Sequence, residues 1–153
     1  MRRLKSRFER GSGAVPDPAP VILAVTADPG IATALRQALQ PLAWPFHTAT
    51  SLEAGLELGR RVGSRCPFNT ILLDKTLVAS DWRSAVARLA QLPVRPSVLL
   101  IGQEAGPMLS ESVTLAGGYA VLAMPINPES AAHSIYAGWL LWSNQDHLRR
   151  LTK

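Results

Sequence analysis

Asp74 is the residue of this 153-residue chain best placed to do chemistry. It follows Thr70-Ile71-Leu72-Leu73, a short apolar run of the kind that forms a strand buried on both faces. A carboxylate at the end of such a strand either belongs to a site, since sites in such sheets lie beyond the C-terminal strand ends, or is simply a polar strand end. Asp28 stands in a comparable place, in the turn Asp28-Pro29-Gly30 after Val21–Val25. Other chemistry is thinly represented. His47, His133 and His147 are scattered over a strand and a helix without partners at ligand spacing, so no metal site is expected. Cys66 is the one cysteine; it excludes an internal disulfide and is read as inert. Gly117-Gly118 precedes an apolar run instead of following one, which is wrong for a phosphate cradle. With no Ser-His-Asp, H-E-x-x-H or glycine-rich nucleotide motif, the chain is expected not to be an enzyme.

The elements that must hold these residues alternate regularly. Val21–Val25, Phe46–Ala49, Thr70–Leu73, Ser97–Ile101 and Tyr119–Ala123 read as five short strands, the second weak. Between and after them the apolar residues recur at helical spacing. One helix is expected over Ile31–Gln40, and one begins near Leu52 behind Thr50-Ser51-Leu52-Glu53, which has the capping-box form. Others are expected over Asp81–Leu92 and Met108–Leu115, and a last one opens at Asn127-Pro128 with no stop signal before the C-terminus. Five strands alternating with five helices imply an α/β sandwich of three layers, with a parallel sheet between two helical layers. In such sheets the site lies beyond the C-terminal strand ends, which directs attention to the residues after strands one, three, four and five.

Composition bounds the reading. The chain has room for one ordinary domain and, at 47% apolar and 18% charged residues, can bury a real core. No apolar run reaches the ~18 residues of a membrane span, and the N-terminus lacks the apolar stretch of a signal peptide, so a cytoplasmic protein is expected. The net charge of +5 is concentrated at the start, where Arg2, Arg3, Lys5, Arg7 and Arg10 face Glu9 alone. Residues 1–20 continue into a Pro/Gly-rich stretch and read as a flexible arm, followed by a domain over residues 21–142. A basic arm suits nucleic acid, but no aromatic or helix-turn-helix pattern accompanies it, so a solubilising tail is the preferred reading.

The segments resemble, in order and spacing, a response-regulator receiver domain. The resemblance covers residues 21–142 and is anchored on Ile71-Leu72-Leu73-Asp74, which matches the third strand and its phosphoacceptor aspartate. Ile22–Val25 with Thr26, Ala27, Asp28 and Pro29 matches the first strand and its acidic turn, Pro96–Leu100 the fourth strand, and Leu122-Ala123-Met124-Pro125-Ile126 the Lys-Pro turn after the fifth. The resemblance implies a flavodoxin-like sheet of order 2-1-3-4-5 and a role in two-component signal transduction. It also implies departures. The two acids that hold Mg²⁺ in the family fall on Thr26 and Ala27, with Asp28 one place late and pointing away from the pocket. The switch hydroxyl falls on Ile101, and the lysine on Met124. Phosphoryl transfer to a carboxylate needs those charges neutralised, so the expectation is a pseudo-receiver that uses no cofactor, with Mg²⁺ poorly served. On this reading Asp74 is a retained polar residue; the alternative is a true phosphorelay receiver phosphorylated on Asp74.

The last helix carries the other signal. At ~100° per residue Ala131, Ile135, Gly138 and Trp142 cluster on one side, which must face the sheet. Tyr136 and Leu140 point the opposite way, with Trp139 on the flank. These three are the expected apolar anchors of an interface, with Arg149 and Arg150 peripheral. The resemblance adds that receivers commonly pair through the fourth helix, fifth strand and fifth helix. The expected partner is therefore a protein or a second copy, with neither a membrane nor nucleic acid. Residues 143–153 are read as an extension of the last helix; the alternative is that they fold back over Tyr136 and Leu140.

Overall fold

The computed structural model describes residues 19–61, 68–103 and 106–151; the basic arm to residue 18 and the loop with Cys66 lie outside the described residues. Five parallel strands, β1 (Ile22–Val25), β2 (Phe46–Ala49), β3 (Thr70–Asp74), β4 (Ser97–Gly102) and β5 (Ala120–Ala123), form one sheet of order β2-β1-β3-β4-β5. The helices are α1 (Pro29–Leu39), α2 (Leu52–Arg61), α3 (Trp82–Ala90), α4 (Pro107–Ala116) and α5 (Pro128–Leu151), with short helical turns at Gln40–Leu42, Lys75–Val78 and Ala79–Asp81. The central strands are apolar without alternation because both of their faces are covered. On one face Leu23, Val25, Leu73 and Leu100 pack against Leu56 of α2, Val86 and Leu89 of α3, and Val113 of α4. On the other, Ile22, Ala24, Leu72, Leu99 and Ile101 pack against Leu35 and Leu39 of α1 and Ala131 and Ile135 of α5. The edge strands β2 and β5 are only partly buried, in keeping with the weak apolar signal of the second.

The helix boundaries follow local capping. α1 begins at Pro29, two residues before the apolar periodicity starts, because Asp28 Oδ1 accepts from Gly30 N–H at 2.8 Å and Pro29 fills the first helical position. Ser51, not Thr50, caps α2: its Oγ accepts from Ala54 N–H at 3.1 Å. Gly117 ends α4 at φ 108, a left-handed conformation that favours glycine. Asn127 Oδ1 caps α5 through Ser130 N–H at 2.9 Å. The Met124–Pro125 peptide is cis. α5 then runs on through Leu151 as one helix and does not fold back.

Gly138 lets α5 lie close to the sheet. A Cβ there would stand 2.6 Å from Ser97 Oγ and 3.0 Å from the Tyr119 ring. Ser97 Oγ is itself buried without a hydrogen-bond partner. Gly138→Ala is therefore expected to destabilise the fold by about 1–3 kcal/mol in urea denaturation. Adding Ser97→Ala should recover part of that loss, since it removes the nearest obstructing atom and an unsatisfied hydroxyl.

Candidate functional site

Alternation along the strands brings the residues that follow β1, β3 and β4 together at one end of the sheet. Asp74 lies beside Ile101 in the β3–β4 register, and both share the strand parity of Leu72 and Leu99, which face α1 and α5. Asp74 is 2% exposed. Its Oδ2 accepts from Thr26 Oγ1–H at 2.7 Å. Its Oδ1 accepts from both Thr76 N–H at 2.9 Å and Thr76 Oγ1–H at 2.7 Å. The carboxylate is thus the N-cap of the helical turn Lys75–Val78 and at the same time a tie between β3 and the end of β1. Thr26, 3% exposed, is held in turn: its Oγ1 accepts from Asp28 N–H at 3.1 Å.

None of Ala27, Ile101 and Met124 brings a charge to this corner. Ala27 is exposed and offers no ligand, and the Asp28 side chain caps α1 instead of facing Asp74. Ile101 is buried in the α1–α5 core, and Met124 is half-buried against that same cluster. Arg88 pairs with Glu53 at 3.2 Å, on α3 and α2, and among the described residues no three His, Cys, Asp or Glu side chains converge on a metal-sized site. A cavity of about 680 Å³ opens nearby between the Lys75–Val78 turn and α4, lined by Lys75, Thr76, Gly102, Gln103, Met108 and Leu109. Asp74 is not part of its wall. Three of roughly four acceptor positions on the carboxylate are occupied, which leaves one, on Oδ2, open.

The structure brings Thr26, Asp74, Ile101 and Met124 to one end of the sheet, and the Asp28 side chain turns to cap α1. Sequence reasoning missed Thr76, which supplies two of the three donors. Its signal was present in Asp74-Lys75-Thr76, an Asp followed two residues later by a hydroxyl, the pattern of a capped turn.

On α5 the expected anchors separate. Tyr136 and Leu140 are 44% and 48% exposed, but Trp139 is 6% exposed. Trp139 does not belong to the outer face: it lies four residues after the fully buried Ile135, on the same side of the helix, with its ring 5.5 Å from Tyr136. Tyr136 stacks in turn on Trp44 at 6.3 Å. Trp142 is half-buried, its indole N–H donating to the Val94 carbonyl at 2.9 Å. The side chains of Arg149 and Arg150 lie outside the described residues.

No protein-family model matches the chain, and no curated protein matches it by sequence. Solved structures do match. The signal receiver domain of an HD domain-containing protein from Pseudomonas fluorescens superposes with a TM-score of 0.71 at 21% identity, over 88% of this chain and 96% of that one. A CheY-like receiver domain from Methanospirillum hungatei gives 0.67 at 20% identity, over 82% and 98%. A Burkholderia pseudomallei response regulator, solved with a phosphorylated aspartic acid, a calcium ion and citrate, gives 0.64 at 20%, over 86% and 75%. The fold is that of a response-regulator receiver domain. In this receiver fold Asp74 stands at the end of the third strand, and what surrounds it is hydroxyl and hydrocarbon.

If the carboxylate is a structural tie, stability must depend on its donors. Thr26→Val is expected to cost about 1–3 kcal/mol in urea unfolding, by leaving Oδ2 buried without a donor. Asp74→Ala should cost at least as much, whereas Asp74→Asn, which keeps the acceptor for Thr76 and offers an amide to Thr26 Oγ1, should cost least.

Proposed function

We propose that this chain is an atypical receiver domain of signal transduction that acts by protein–protein contact without phosphorylation of Asp74, as a non-enzymatic module. The observation that carries this reading is that Asp74 is held by neutral donors alone, Thr26 and Thr76, beside Ile101 and Met124. Phosphoryl transfer to a carboxylate gathers negative charge, and its barrier is lowered by a metal ion and fixed cations around the moving group. Thr26 and Thr76 offer neutral hydroxyls, a poor site for Mg²⁺, which takes carboxylate oxygens and waters in near-octahedral array. Each absent electrostatic stabiliser typically costs on the order of 3 kcal/mol in a transition state. A phosphorylated Asp74 would also find Ile101 and Met124 where a hydroxyl and a lysine would respond to it.

The output surface on this reading is α5, with Tyr136 and Leu140 exposed on it and a second copy or another signalling protein as partner. No helix among the described residues is long and apolar enough to cross a membrane, and a cytoplasmic place accords with the proposal. The competing reading, a phosphorelay receiver modified on Asp74, draws on the position of that residue at the end of β3.

Beryllofluoride with Mg²⁺ mimics a phosphoryl group on a receiver aspartate and separates the two. The amide resonances of Thr26, Asp74, Thr76 and α5 are expected to stay in place at saturating reagent. Saturable shifts spreading from Asp74 into α5 would overturn the proposal in favour of a phosphorylation switch.

A further inference from the structure

A second cavity, of about 510 Å³, opens where β4 and β5 begin, at the end of the sheet away from Asp74. Its volume falls within the roughly 300–1,000 Å³ typical of small-molecule sites. From α5 it is lined by Gly138, Leu141, Trp142 and Gln145, the i, i+3, i+4, i+7 spacing of one helix face. Across from them Gly117 and Gly118 bring no side chain into the space. Two rings stand in the wall, and the backbone fixes both. Tyr119 N–H donates to the Val98 carbonyl at 2.7 Å, and the Trp142 indole N–H donates to that of Val94 at 2.9 Å. The polar groups are few. Arg95 is the one charged residue of the wall, exposed, in a turn where its backbone is left-handed at φ 53. Ser97 lines the cavity two residues on, and its Oγ is buried without a hydrogen-bond partner.

We infer that this cavity is a binding site for a small planar aromatic carboxylate. The Tyr119 and Trp142 rings offer π-faces and edges to a flat apolar body, and Leu141 adds hydrocarbon at the rim. Arg95 and Ser97 ask for oxygen acceptors: a guanidinium pairs with a carboxylate through two parallel N–H···O bonds, and a buried hydroxyl without a partner has a hydrogen to give. No Asp or Glu lines the cavity to compete for them. The carbonyl ends of α3 and α4 also lie beside it, but they are already met. Gln91 N–H donates to Ala87 and Arg88, Gly117 N–H to Thr114, and Gly118 N–H to Val113, so Arg95 is not spent on those helix ends. A cationic ligand would meet Arg95 as a like charge, and a purely apolar one would cover the guanidinium without a partner. Seated against α5, the carboxylate would act on that helix from the end of the sheet opposite Asp74. This last step rests on the reading of α5 as the output surface; the binding site itself does not.

An NMR titration of the full chain with 1-naphthoate tests the site, with 1-naphthamide as a neutral probe of the same shape. Saturable shifts are expected at the Trp142 indole N–H, assigned with Trp142→Phe, and at the Gly117 and Gly118 amides, while the Trp44 and Trp82 indoles stay in place. Arg95→Gln, at an exposed residue, is expected to weaken 1-naphthoate by about tenfold or more and 1-naphthamide far less. Ser97→Ala removes an unsatisfied hydroxyl and keeps the fold, so it serves as the second variant; it should weaken 1-naphthoate by about threefold. No saturable shift over the soluble range of the probe, shifts at Trp44, Trp82 and Trp142 alike, or binding of 1-naphthoate indifferent to Arg95→Gln would each overturn the inference. None of these outcomes bears on Asp74, which beryllofluoride reads separately. Shifts in α5 from both reagents would keep this site and remove the phosphorylation-independent reading.

Discussion

A carboxylate withdrawn from water must be met by donors, and Asp74 imposes that condition at the centre of the sheet. An ionised group left unpaired in such a place costs several kcal/mol, so its surroundings are not free to vary independently. Here the donors come from two separate segments. Thr26 reaches across from the end of β1, and Thr76 supplies both its backbone and its hydroxyl from the next turn of the chain. The same Thr26 oxygen accepts from Asp28 N–H, and Asp28 in turn caps α1. One buried charge thereby sets the path of two loops and the start of a helix. What a cation would do by neutralising charge is done by three short hydrogen bonds, which occupy three of the roughly four acceptor positions of the carboxylate.

Beside this polar tie the corner is completed by hydrocarbon. Ile101 is 1% exposed, and with Leu99 and Leu122 it belongs to the layer on which α5 rests. A hydroxyl there would have to find a partner or carry an unsatisfied group; an isoleucine needs only contact. Met124 adapts to the space at the end of β5 with an unbranched side chain that fills irregular gaps. The consequence is mechanical as well as chemical. A strand end packed into a core has one arrangement, and a signal delivered at Asp74 would have to displace close-packed side chains to reach α5.

Much of this was legible in the sequence because the pattern is redundant. Ile71-Leu72-Leu73 could only be a strand covered on both faces, and four similar runs at regular spacing leave few topologies open. Thr26, Asp74, Ile101 and Met124 were singled out by the resemblance to receiver domains, which implies a role for the residues at those strand ends. Less visible were the features decided by a single hydrogen bond. Whether Thr50 or Ser51 caps α2, and whether α1 starts at Pro29 or Ile31, depends on which side chain turns back to the backbone, and periodicity carries no trace of it. Thr76 was hidden for the same reason: two residues past a strand, on an exposed turn, its type is ordinary and only its geometry gives it a role.

Trp139 shows where helical arithmetic needs packing to complete it. Wheel angles placed it at the margin of the buried arc, and on an isolated cylinder a marginal tryptophan has its outer edge in water. α5 does not lie on the sheet as an average cylinder. Gly138 has no side chain to hold the helix away, so the axis sinks toward Ser97 and Tyr119 and the covered arc widens until it includes the residue next to it. Tyr136, one turn before Trp139, packs its ring against the indole and against Trp44, closing that margin.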